Sequence, residues 1–156
     1  MNILKLLKPK ACTDYIYNDY TARQALEKLR HHGFTAVPVI NREGEYVKTV
    51  AEGDFLWFMF ENQISDVKEL ENYSVNQIPK RINVQPVYVY STIEDLILLS
   101  MEQNFVPVID DRKVFIGIVT RRDILQYCYN TLKEADLKDK ESESEEDEQE
   151  EQAVQI

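Results

Sequence analysis

The segment AVPVI at residues 36–40 returns as FVPVI at residues 105–109. Pro38 and Pro107 are 69 residues apart, as are Val39 and Val108, Ile40 and Ile109, Tyr46 and Phe115, Val50 and Val119, and Asp54 and Asp123. An offset held over so long a stretch marks one supersecondary unit present twice. Ahead of it the better offset is 71, pairing Thr21 with Thr92 and Phe34 with Phe105, so the first copy carries two extra residues near Gly33. Each copy is too small to bury a good core alone, so the two are expected to pack together.

Within each copy the patterns follow one order. Thr21 is placed to cap a helix whose Ala22, Ala25, Leu26 and Leu29 share a face, and Gly33 is a good stop. FTAVPVI reads as a buried strand, NREGE as a turn, YVKTV as a second strand and EGDFLWFMFENQI as a helix. The second half gives VYVY as a strand and then a helix begun at Ser91 or Thr92, with Glu94 and Asp95 where the helix dipole favours them. FVPVI, the turn DDRK, VFIGIVT and the helix RRDILQYCYNTLKEA follow. This predicts an α/β chain of the α+β type, built from two tandem β-α-β-β-α units. Residues 1–71 hold the first unit and an N-terminal segment, 72–138 the linker and the second unit, and 139–156 a tail. Ile64, Val67, Leu70 and Ile78 predict that the polar linker is ordered against the body.

The charge is unevenly spread. The net charge is -10, but residues 139–156 hold nine acidic residues against Lys140, a net of -8. The other 138 residues therefore carry -2. A nearly neutral body argues against nucleic-acid binding, which calls for a basic face. The tail has no apolar periodicity and repels itself, so disorder is expected, with solubility as its plain role. No apolar run approaches the roughly 20 residues of a spanning helix. MNILKLLKPK is too short and too interrupted by lysine for a secretory signal. A cytoplasmic chain with Cys12 and Cys128 reduced is the expectation. Neither cysteine has metal-ligand spacing, and the adjacent His31 and His32 end a helix without partner ligands, so no metal site is predicted.

The doubled VPV strands at 37–39 and 106–108, the tight hairpins after them, GIVTRRDIL at 117–125 and the weaker TVAEGDFL at 49–56 together resemble a CBS-domain pair, the Bateman module. The resemblance covers roughly residues 10–132. It implies pseudo-two-fold packing of the repeats, with two clefts between them that bind adenine nucleotides or related ligands, and association of modules through their helices.

GIVTRRD suits such a ligand physically. Thr120 ends a strand, where its hydroxyl can meet a phosphate or ribose oxygen. Asp123 falls in the first turn of the next helix, where a carboxylate can accept from two ribose hydroxyls. The helix N-terminus favours phosphate, and Arg121 or Arg122 can pair it bidentately. The same Thr-to-Asp spacing is also that of a capping box, and capping and ligand contact are compatible. In the first copy Ala51, Glu52 and Gly53 stand at the Thr120, Arg121 and Arg122 positions, and Asp54 alone is retained. One good nucleotide site per chain is therefore expected, in the second copy. By the resemblance, Tyr88 and Val89 with Phe105, Val106 and Pro107 line the base pocket, and Lys80 and Arg81 of the linker reach the phosphate. For the aromatic residues, core packing is an equal alternative.

FLWFMF at 55–60 is apolar all round its helix, and Ile124, Leu125, Tyr127, Cys128 and Leu132 give the last helix a broad apolar face. Both predict a homodimer interface. The chain lacks a G-x-S-x-G elbow, a Walker loop, HExxH or a Cys/His ligand set, so an enzyme is not expected and no cofactor is required. The expected function is a regulatory module that binds AMP, ADP or ATP and signals to a separate effector protein. Cyclic di-AMP is the rival ligand, and a ligand-free scaffold using its acidic tail is the rival function.

Overall fold

The structure, a computed structural model of the chain, describes residues 1–155. The chain opens with a two-residue strand, β1 (Lys8–Pro9). The first copy follows as β2 (Ile16–Tyr17), α1 (Ala22–His32), β3 (Ala36–Ile40), β4 (Tyr46–Ala51) and α2 (Glu52–Glu61). The second is β5 (Val87–Tyr88), α3 (Ile93–Ser100), β6 (Phe105–Ile109), β7 (Phe115–Thr120) and α4 (Arg121–Val154). The expected β-α-β-β-α order is present twice. Met1–Arg121 form one compact unit, and α4 from Arg122 onward is a second.

The first sheet runs β2-β3-β4 and the second β1-β7-β6-β5. In each copy a short first strand pairs in parallel with the VPV strand, across a helix, and the VPV strand pairs antiparallel with the next. A parallel pair needs such a crossover, and the helix supplies it. Even the irregularity is duplicated, since the ladder shifts register between Val39 and Ile40 and again between Val108 and Ile109. The copies differ at one edge: β1 pairs antiparallel with β7, Lys8 opposite Ile118 and Pro9 opposite Gly117.

Local chemistry explains the helix boundaries. The Thr21 hydroxyl accepts from the Gln24 N–H at 3.1 Å while the Gln24 side chain accepts from the Thr21 N–H at 3.0 Å. Gly33 then ends α1 at φ 68°, a conformation that costs a residue without a Cβ little. Of the two candidate caps for α3, Thr92 is used, in a reciprocal pair with Asp95. Ser91 instead closes a turn on Tyr88, so the VYVY segment leaves the strand after Tyr88.

The first core gathers Ile16, Val37, Val39, Val50 and Phe55 with Ala25 and Leu29 of α1. Ile64, Leu70, Val75 and Ile78 of the linker join it. The linker is thus ordered as predicted, although Val67 faces solvent. The acidic tail departs from expectation. It continues α4 as helix to Val154, and every described residue from Tyr129 onward is exposed. Glu, Gln, Lys and Ala have high helix propensity, and no glycine or proline interrupts them. Ser142 and Ser144 bond back to the carbonyls of Asp139 and Glu141, so they do not unwind the helix.

Candidate functional site

Two of the cavities in the unit formed by residues 1–121 share Ala36, Asn104 and Phe105 as walls. The larger, about 460 Å³, opens at the start of α2. Ala51, Gly53, Asp54 and Trp57 line one side, and Arg81, Ile82 and Val84 of the linker another. The smaller, about 210 Å³, is bounded by Thr120 and Ile118 of β7, by Lys8, Thr13 and Asp14, and by Phe34 and Thr35.

Asp54 organises the larger cleft. It is buried, 5 % exposed, in the first turn of α2. One carboxylate oxygen accepts from the Ala51 N–H at 2.7 Å, the reciprocal half of a capping box whose other half an alanine cannot supply. The other accepts from the Arg81 N–H at 3.1 Å, 27 residues along the chain. A carboxylate has about four acceptor positions, so lone pairs on both oxygens remain for further donors. The same bond brings the Arg81 side chain to the cleft, where its guanidinium stands 4.8 Å from the centre of the Trp57 ring. A cation over an indole is held without losing its charge. The cleft therefore combines apolar walls, a buried carboxylate and one arginine cation.

The linker strand is fastened beside this cleft by three polar residues that sequence reasoning did not single out. The Tyr46 hydroxyl donates to the Val84 carbonyl at 3.0 Å and accepts from Thr49 at 2.8 Å. Burial pushes its pKa up to about 12. Lys48 donates to the carbonyls of Val75 and Ile78 at 2.9 and 2.5 Å. Burial, the largest cause, pushes the Lys48 ammonium down; Asp54 opposes the shift and Lys80 adds to it. The amide of buried Gln103 brackets Gln85, accepting from its N–H and donating to its carbonyl, both at 2.9 Å. The available signal was a polar residue at an inward position of a strand, as at Thr49, which needs a partner when buried.

The predicted site residues are divided by the fold. Asp54, Arg81 and Phe105 line the larger cleft, and Phe105 and Thr120 the smaller. Arg81, expected beside Thr120, stands with Asp54 instead, because the linker passes the first copy's α2 before it reaches β5. Arg121 is turned away from the role expected of it: its side chain donates to the Ser100 carbonyl at 2.6 Å and its N–H to the Asn104 carbonyl at 2.9 Å, tying β7 to the end of α3. Arg122 is exposed and Asp123 half-buried in the first turn of α4. Lys80 is exposed, bonded to Asn83 at 2.9 Å, and lines with Tyr88 a third cavity beside the larger cleft. Tyr88 stacks on Tyr90 at 5.1 Å, Val89 donates to the Ile109 carbonyl, and Val106 and Pro107 are buried in β6.

The family model for the CBS domain matches residues 14–61 and again 75–130, two matches that coincide with the two copies. The chain belongs to the CBS-domain family. Among curated proteins, this CBS pair is 25% identical over 146 residues to the uncharacterized protein MJ1225 of Methanocaldococcus jannaschii, covering 81% of this chain and 51% of that protein. It is 29% identical over 129 residues to the uncharacterized protein MK0525 of Methanopyrus kandleri, covering 78% and 62%. The chain thus spans about half to three-fifths of those relatives. Among solved structures it is similar to CbpB in complex with c-di-AMP, with TM-score 0.76, 25% identity and coverage of 90% of this chain and 91% of that one. CbpB from Streptococcus agalactiae gives TM-score 0.71 at 26% identity, covering 81% and 79%. CBSX2 in complex with AMP, at 21% identity and TM-score 0.66 over 83% and 97%, shares the fold.

Proposed function

We propose that this CBS pair is a non-catalytic sensor that binds an adenine nucleotide in the Asp54–Arg81 cleft and signals its occupancy to a separate effector. The observation that carries the reading is the composition of that cleft. Its apolar walls at Ala36, Ile82, Val84 and Phe105 suit a base, Asp54 has acceptor positions left for ribose hydroxyls, and Arg81 carries the charge for phosphate. The Asp54 oxygens already hold two backbone amides, so the carboxylate serves as an anchor for the linker and the sugar and not as a general base. The Thr120 cleft has less than half the volume, and its motif arginine is committed to Ser100. It is the weaker site, which leaves one strong site per chain, in the first copy.

Cyclic di-AMP is the second reading. It is favoured by the 25%-identical relative whose structure contains it, and by the shared wall at Ala36, Asn104 and Phe105, across which one dinucleotide can reach both clefts. We further propose that copies of the chain associate through the face of α2, where Leu56 and Phe60 are 62 % and 74 % exposed while Phe55 and Phe58 fill the core. Leu125 and Leu132 on α4 form a comparable exposed set. Calorimetry and thermal melts with AMP, ADP, ATP, cyclic di-AMP, S-adenosylmethionine and GTP test the reading, since a ligand bound to the folded state raises the melting temperature by mass action. An adenine nucleotide is expected to bind at one strong site per chain and GTP to bind more weakly. Flat melts with every adenine compound would overturn it.

A further inference from the structure

A third cavity, about 320 Å³, adjoins the proposed nucleotide cleft and shares Thr49 and Val84 with it as walls. Lys48, Lys80 and Lys113 all line it, and no aspartate or glutamate does. The three come from separate places: strand β4, the linker, and the turn between β6 and β7, where Lys113 adopts φ 66°. Three lysines that line one cavity from distant parts of a chain repel one another. A chain of net charge -10 has carboxylates in abundance, yet none lines this cavity; the carboxylate that acts on Lys48 is Asp54, in the adjoining cleft. Burial is the main cause that pushes the half-buried Lys48 ammonium down; Asp54 opposes the shift and Lys80 adds to it. Lys48 spends two of its donors on the linker carbonyls and Lys80 one on Asn83, and each ammonium has three to give.

We infer that this cavity is an anion subsite for the polyphosphate portion of a nucleotide whose adenosine lies in the adjoining cleft. The inference deepens the proposed function, because it selects a nucleoside triphosphate over a monophosphate as the ligand of that site. The geometry carries it: the two cavities share Thr49 and Val84 as a common wall, so the lysine-lined cavity lies directly beside the cleft. A triphosphate brings the negative charge that the lining of this cavity lacks, and burial strengthens each charge-assisted bond.

The test separates this subsite from the nucleotide reading. Calorimetry of the full chain would compare ATP, AMP, cyclic di-AMP and inorganic tripolyphosphate, on the unaltered protein and on a Lys80→Gln/Lys113→Gln variant. Lys48 is left intact because it fastens the linker. ATP is expected to bind at least tenfold more tightly than AMP, and the variant to erase that ratio while AMP affinity stays within twofold. Tripolyphosphate alone is expected to bind the unaltered protein and not the variant. Equal affinities for AMP and ATP, tighter binding of cyclic di-AMP than of ATP, or an ATP preference that survives in the variant would overturn the subsite. Should no adenine compound bind while tripolyphosphate binds through Lys80 and Lys113, the anion subsite stands and the adenine reading falls. Should tripolyphosphate fail as well, both fall. Unchanged thermal unfolding of the variant in the absence of ligand confirms that it folds.

Discussion

The two copies solve one problem in different ways. Each holds against its last strand the chain segment that leads into the other copy, and the residues at matching positions show how. In the first copy Tyr46, Lys48 and Thr49 reach out with side chains: Tyr46 to the Val84 carbonyl, Thr49 to Tyr46, and Lys48 to Val75 and Ile78. In the second copy the same positions are Phe115, Gly117 and Ile118, which have no such donors. There the segment that leads into the first copy comes close enough to form strand β1 against β7. Gly117 permits the approach, because a Cβ would collide with the Lys8 carbonyl oxygen and lie 3.0 Å from atoms of Leu7 and Pro9. Side-chain tethers hold a segment at a distance and leave room; backbone pairing draws it in. The first copy accordingly keeps a cleft of about 460 Å³ and the second one of about 210 Å³.

The sharpest way to break this comparison is Gly117→Val. The branched side chain meets backbone, which cannot give way, so β1 is expected to leave β7 at a cost of about 3 kcal/mol. Chemical denaturation measures the loss, and hydrogen exchange should show it centred on residues 8–17. A loss under about 1 kcal/mol would mean that the close approach is not what holds β1.

Titrating the tether of the first copy comes next. Tyr46 holds its proton to about pH 12 in the folded chain, against about 10 when unfolded. Its contribution is complete below pH 10 and is lost as pH rises from 10 to 12, about 2–3 kcal/mol across that window. Lys48, shifted the other way, gains as pH rises toward its unfolded value, so the two trends oppose each other only between pH 10 and 10.5. Stability against pH for Tyr46→Phe, which matches the second copy's Phe115, should fall less above pH 10 than that of the unaltered chain; Tyr15, whose pKa burial also raises, still contributes.

Asp54→Ala leaves the Ala51 and Arg81 amides without their acceptor and is expected to cost about 2 kcal/mol of stability. It should also weaken nucleotide binding at least tenfold, whereas Thr120→Ala changes affinity less than threefold. Calorimetry giving the reverse order would move the strong site to the second cleft. The arginines make a subtler pair. Arg81→Gln should weaken nucleotide binding about tenfold, near 1.4 kcal/mol, without loss of stability. Arg121→Gln should lower the melting temperature through its bond to Ser100 and leave affinity within twofold. The smallest effect is expected from removing residues 139–156: stability within about 0.5 kcal/mol, since their described side chains are exposed.

Much of the fold was legible in the chain. The offset of 69, the caps at Thr21 and Thr92, the stop at Gly33 and the apolar strands are local patterns, and the structure follows them. Departures came where local and long-range terms compete. The tail's charge argued for disorder, but its propensities carried α4 on to Val154. The FLWFMF helix reads as apolar throughout, and only packing decides that Phe55 and Phe58 turn inward while Leu56 and Phe60 face out. Candidate site residues could be named from the chain but not grouped, because Asp54, Arg81 and Phe105, which line one cleft, belong to three separate segments.

By itself the sequence determined that there are two copies, what elements each contains, and which family they form, because periodicity, caps and turn residues act over a few positions. Only the tertiary structure decided which copy has the room and the charge. That choice depends on a linker amide reaching Asp54 from 27 residues away, an arginine spending its guanidinium on Ser100, and a glycine that lets one strand come near where a lysine keeps another off. None of these is a local preference; each is a contact between distant segments, created by packing.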